Sequence, residues 1–268
     1  MNSTNIHFDS EYIIEGTKLE IDYNVIKEYL TNIINSLTDI NLNFLTDIYF
    51  PSNYEQALFV FQRENGHHEK YTDNEYGKGF GMAIEYIDSQ NKIKSVIFYH
   101  PAVLIGLYGI CIGKEYMSEE QVKLILNVIY HELFHIHDFN FFQDLVDNNK
   151  NNDITNIEIS YCIWSEYFAH RKTGMLFSIK TDNDISPDDL EKLFLSMKED
   201  SNNEEIFSMV GRVIGDIHAL DKRLIEFIDE KLTYPFDEIE KLLDLLFKQY
   251  PNWNGIDEFV NLAFLTKQ

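Results

Sequence analysis

The chain has 268 residues, 44% of them hydrophobic and 25% charged, so it can bury a sizeable core without help from disulfides. Its 45 acidic and 22 basic side chains give a formal charge of −23, a field that repels nucleic-acid phosphates and anionic lipid surfaces and sets both aside as partners. Two cysteines, Cys111 and Cys162, imply no disulfide framework, the first eleven residues lack a basic-then-apolar leader pattern, and no apolar run is long enough to span a bilayer, so a cytoplasmic protein is expected.

From Tyr23 to Leu37, the apolar positions Val25, Ile26, Tyr29, Leu30, Ile33, Ile34 and Leu37 recur with a helical period. Phe44–Phe50 and Leu58–Gln62 read as short strands, and the polar stretch from Glu64 to Lys78 as a loop. Phe80–Ile87 and Ile93–Tyr99 flank a polar turn at Asp88–Asn91 and predict a hairpin. A Gly-rich connection leads to Ser118, which with Gln121 three residues on predicts a capping box opening a helix to about Phe142. After an Asn/Asp-rich loop at 147–153, Thr155 and Glu158 form a second box, opening a helix to roughly Lys172. The last third reads as helical: Pro187 and Pro235 suit first-turn positions, Pro251 follows a helix end, and 181–186 and 200–203 read as loops. The order of elements predicts an α+β fold, a small and mostly antiparallel sheet packed on the helix that starts at Ser118.

That helix contains His131-Glu132-Leu133-Phe134-His135, an HExxH pattern. One turn apart and about 40° around the helix, His131 and His135 project together and can bind one Zn²⁺. Glu132 sits about 100° from His131, at the edge of the same face, where a general base can reach a water at the metal. Val122, Ile125, Ile129, Leu133 and Ile136 fall opposite and give the helix its own reason to be buried.

Catalytic zinc takes three protein ligands and leaves one position open. A histidine six residues past His135, with a glycine between, is ruled out, because Phe141 and Asp138 stand there. His137 points about 200° away from His135 on the wheel and reads as a surface or supporting histidine, while Asp138 is suited to orienting an imidazole. Glu166 is the better third ligand. It shares a helix face with Ile159, Cys162, Ile163, Ala169 and His170, and a carboxylate on so apolar a face needs a partner such as a metal. The competing reading of Glu166 is an ion pair with Arg171 or Lys172.

With His131, Glu132, His135, Glu166 and Ala169 in this order, residues 118–175 resemble the gluzincin group of metallopeptidases, in which an HExxH helix is followed by one carrying a glutamate ligand within an E-x-x-A pattern. The aspartate that often follows that glutamate is replaced here by the neighbourhood of His170 and Arg171. A looser likeness joins the chain to cytoplasmic proteases that cleave repressors. The resemblance implies a zincin-like catalytic region over 1–180, a helical region over 181–268 packed on it as one compact unit, and an edge strand beside the cleft that binds an extended peptide.

The expected function is a zinc metallopeptidase acting on a peptide or protein substrate, with His131, His135 and Glu166 as ligands and Glu132 as base. His170 is the first candidate to stabilise the oxyanion, ahead of His218, Tyr167 and His100. Cys162 reads as a small core residue and His67-His68 as surface. Two other classes stand beside this: a non-catalytic regulatory protein that keeps a structural metal, and a zinc hydrolase of non-peptide substrates.

Overall fold

The computed structural model describes residues 4–14, 16–68, 71, 73–74, 77–113, 117–148, 154–177, 192–193, 195–196, 204–227, 230–253 and 256–266. The chain divides into two compact units, Met1–Asn140 and Phe141–Gln268.

The first unit is built on a four-stranded sheet. Its elements run β1 (Asn5–Phe8), α1 (Tyr23–Ser36), β2 (Leu45–Phe50), α2 (Tyr54–Glu64), β3 (Gly81–Ile87), β4 (Ile93–Tyr99), α3 (Pro101–Ile112) and α4 (Glu119–Asn148), which continues past the unit boundary. The strand order is β1-β2-β4-β3, with β1 parallel to β2, β2 parallel to β4, and β3 antiparallel to β4. The sheet is therefore mixed, where a mostly antiparallel one was expected. The hairpin β3–β4 announces itself through its turn, in which Asn91 takes φ 59 and the Asp88 carboxylate accepts from the N–H groups of Gln90 and Lys92. Parallel pairs are joined by long crossovers and leave no such local signature.

Two further expectations are corrected. Leu58–Gln62 lies inside α2, because Asn53 caps that helix by accepting from Gln56 N–H at 3.2 Å, and Tyr54, Leu58 and Gln62 are buried at helical spacing. The Gly-rich connection is α3, with His100 as its N-cap and Pro101 in its first turn. Its Gly106 serves close packing: a Cβ there would stand 2.4 Å from Ile125 Cδ1 on α4.

β4 is buried on both faces. Ile97 and Tyr99 join a core with Ile26 and Leu30 of α1, Leu104 of α3, and Ile129, Leu133 and Ile136 of α4; Val96 and Phe98 pack with Tyr54 and Leu58 of α2. The predicted cap of α4 is present in both directions, Ser118 N–H to Gln121 Oε1 at 2.9 Å and Gln121 N–H to Ser118 Oγ at 3.2 Å. Burying Ile129, Leu133 and Ile136 contributes about 1.5–3 kcal/mol each, so α4 is anchored without any metal.

Described by itself, the second unit is helical: α5 (Ile154–Phe177), α6 (Glu204–Ala219), a 3₁₀ turn at Leu224–Glu226, α7 (Glu230–Gln249) and α8 (Ile256–Leu265). α6 lies almost backbone to backbone on α5. A Cβ on Gly211 would be 2.0 Å from Ile163 O, and one on Gly215 would be 2.7 Å from Tyr167 O. Pro251 follows the end of α7 as expected, but Pro235 falls inside α7 and not in its first turn. Pro187 and the expected loops at 181–186 and 200–203 lie outside the described residues, as do 149–153; α4 itself runs on to Asn148. Among the described residues no helix is long and apolar enough to cross a membrane.

A buried polar network ties this unit together. Glu240, 2% exposed, accepts from Leu224 N–H at 2.7 Å, from His218 Nε2 at 3.1 Å and from Arg223 at 3.2 Å. Burial alone would raise the Glu240 carboxyl, but the His218 and Leu224 hydrogen bonds outweigh it and hold it below its usual range. A carboxyl depressed in the folded state stabilises fully above its unfolded value, about 4.3, and loses that contribution as the pH falls through the folded value. Wild type should therefore outlast Glu240→Gln in urea at pH 7, and the gap between their midpoints should close as the pH is lowered below about 4. A gap that stayed constant down to pH 3 would remove Glu240 as the titrating group.

Candidate metal centre

On α4, the Nε2 atoms of His131 and His135 stand 3.0 Å apart, with the rings at 87° to one another. Two donors that each lie about 2.0–2.1 Å from one zinc ion are separated by roughly 3.3 Å at the tetrahedral angle. The two imidazoles thus converge on a spacing that suits a shared ion, and as neutral nitrogen donors they suit zinc. His135 is 8% exposed and His131 is half-buried.

Glu132 turns to the sheet. The residue is 6% exposed, and its Oε2 accepts from the N–H of Ala83 on β3 at 2.8 Å. β3 is an edge strand, so the Ala83 N–H points away from β4 and towards the helix. Gly81 makes room for this contact: a Cβ there would stand 2.7 Å from Glu132 Cγ and 2.8 Å from Oε1. Sequence reasoning singles out neither Gly81 nor Ala83, although glycine at a strand start is the kind of position where backbone and side chain meet closely.

Aromatic rings surround the same carboxylate. Tyr99 donates to Ile129 O at 3.1 Å. Tyr54 is 3% exposed, and its hydroxyl has no hydrogen-bond partner among the described residues. Burial pushes the Tyr54 phenol far up, and the nearby negative charge of Glu132 pushes it further. His100, an oxyanion candidate in the sequence, accepts at Nδ1 from Ala102 N–H at 3.1 Å and so caps α3, with its ring edge-on to Tyr54 and Phe80. His137 Nδ1 accepts from Asn41 N–H at 2.8 Å, a supporting contact of the kind expected.

In the second unit, α5 carries Glu166 and His170 one turn apart, with Glu166 Oε2 and His170 Nε2 separated by 3.6 Å. The other ring nitrogen, Nδ1, lies 2.9 Å from Asp216 Oδ1 on α6. Gly215 permits that reach, since a Cβ there would be 3.0 Å from His170 Cβ. Asp216 escaped sequence reasoning, which sought a supporting carboxylate shortly after Glu166. Arg171, one of the two competing partners for Glu166, is bound to Asp244 at 2.9 Å. Tyr167 and His218, the remaining oxyanion candidates, meet each other at 2.8 Å within the buried network of Glu240. Cys162 is half-buried and in no disulfide, and His67 and His68 are exposed.

No family model, curated protein or solved structure matches this chain.

The Tyr54 hydroxyl gives a direct test of the packing around Glu132. Burying a hydroxyl without a partner costs roughly 1–3 kcal/mol, so Tyr54→Phe, which keeps the ring and removes the oxygen, should raise stability by about 1 kcal/mol or more. Thermal or urea unfolding measures this, and a clearly destabilised variant would mean that the hydroxyl is held by a partner.

Proposed function

We propose that the chain is a zinc-dependent peptidase of gluzincin type, with His131, His135 and Glu166 holding the ion and Glu132 serving as general base. The observation that carries the reading is the environment of Glu132: a buried carboxylate next to a convergent histidine pair, fixed by a backbone N–H and seated against a glycine. A glutamate needed only for helix surface or core packing has no use for such a seat.

Zinc bound by these residues supplies Lewis-acid polarisation of the scissile carbonyl and lowers the pKa of the attacking water. Glu132 then accepts the water proton and delivers it to the leaving amine, a transfer that requires the carboxylate to keep one orientation throughout. Ala83 provides that orientation by holding Oε2. Strand β3, an edge of the sheet, is suited to receive an extended peptide by strand addition, which brings a scissile bond beside Glu132. The acidic surface, with its formal charge of −23, favours cationic or unfolded segments as substrates.

Two variants test the base. Glu132→Gln should keep its bound zinc, measured by elemental analysis, and lose about 10²–10⁴-fold in peptide hydrolysis. If this variant cleaved peptides at the wild-type rate, Glu132 would not be the base. Gly81→Ala should leave the fold intact by circular dichroism but displace the Glu132 carboxylate, lowering turnover at least about tenfold, since a misplacement near 1 Å costs on the order of 10²-fold. Unchanged turnover in Gly81→Ala would mean that the seat beneath Glu132 has no part in catalysis.

A further inference from the structure

We propose that His170 is itself a ligand to the metal, positioned by Asp216, and not a donor to the oxyanion. This rests on the metal reading above and deepens it.

Three observations within the second unit point there. First, His170 Nε2 and Glu166 Oε2 are 3.6 Å apart. That is too long for a hydrogen bond, yet close to the roughly 3.3 Å that separates two donors on one tetrahedral zinc ion. Second, Asp216 Oδ1 sits 2.9 Å from Nδ1. A carboxylate there accepts a hydrogen bond from Nδ1–H, which fixes the tautomer and leaves the lone pair on Nε2, beside Glu166. A carboxylate behind an imidazole, with the far nitrogen turned to another anionic donor, is how metal-ligating histidines are commonly held. Third, the arrangement is built and not incidental. Gly211 and Gly215 bring α6 against α5, and Asp216 is the residue that follows the second of these contacts. The side chains of Glu166, His170 and Asp216 are 29%, 18% and 23% exposed, so all three are partly shielded from water.

The chemical consequence concerns the open position. Four protein donors complete a tetrahedral zinc site, whereas a catalytic ion keeps one place for water or expands to five ligands. With His170 as a further donor, the ion would keep its water by expanding to five ligands, and His170 is the donor whose attachment depends on a second helix through Asp216.

Metal binding tests this without recourse to activity. Zinc affinity is measured by competition with a chromogenic chelator on the full chain and on His170→Ala, Asp216→Asn and His131→Ala, and Co²⁺ absorption is recorded for each. Wild type should take up one equivalent, and Asp216→Asn should bind about 10–100-fold more weakly. His170→Ala should bind more weakly still and shift the Co²⁺ band, and added imidazole should restore that band. If His170→Ala and Asp216→Asn matched wild type in affinity and in the Co²⁺ spectrum while His131→Ala lost the metal, His170 would be only an ion-pair partner of Glu166. The zinc reading would then stand without it. If wild type and His131→Ala bound zinc equally poorly, the metal reading itself would fall, and this inference with it.

Discussion

The hydrogen bond from the Ala83 N–H to Glu132 joins the edge of a sheet to the face of a helix, and much of the first unit follows from making that contact. For the N–H to be available, β3 must be an edge strand with Ala83 facing away from β4. For the carboxylate to reach it, α4 must lie close to the sheet, which Ile129, Leu133 and Ile136 secure by burial in the shared core. For the two to meet without a clash, the strand must begin with a residue that has no Cβ, and Gly81 provides it. The histidines at 131 and 135 then have their position set by a helix whose rotation is already fixed on the opposite side. The helix that carries them is thus anchored by its apolar face, independently of any metal.

A different device organises the second unit. Gly211 and Gly215 face Ile163 and Tyr167 across so short a gap that α5 and α6 touch through their backbones. Close approach shortens the reach needed by Asp216, a residue with a two-carbon side chain, and allows it to fix the His170 ring. Beyond that contact the polar residues are absorbed by another network, in which Arg171, Tyr167, His218, Arg223, Asp244 and Glu240 satisfy one another. Tyr167 and His218 are thereby engaged with each other, and His218 with Glu240.

What could be read from the sequence was what is encoded locally. The capping box at Ser118 and the apolar back of α4 both lie within a few turns, and both are present in the structure. The turn at Asp88–Asn91 marked the hairpin for the same reason. The four-residue strand β1 went unseen, since its partner β2 is about forty residues away and a parallel pair needs no turn. Leu58–Gln62 was misread because a five-residue apolar window does not separate strand from helix; the deciding signal, Asn53 as a cap with Tyr54 and Leu58 one turn apart, lay just upstream. Asp216 acts on His170 across 46 residues of sequence. Its only advance notice was the pair Gly211 and Gly215, one turn apart in a helical pattern, which signals close helix packing without saying against what.

Two buried glutamates, Glu240 and Glu132, sit in different environments. Glu240 is enclosed by an arginine, an imidazole and a backbone N–H, and these donors hold its charge and depress its acidity. A carboxylate so stabilised is a poor proton acceptor, because each donor that favours the anion weakens it as a base. Glu132 is as deeply buried, but its orienting bond comes from a neutral backbone N–H, and neighbouring Tyr54 and Tyr99 are held firmly protonated in part by its charge. A carboxylate aimed by a backbone N–H is suited to the base role proposed for Glu132.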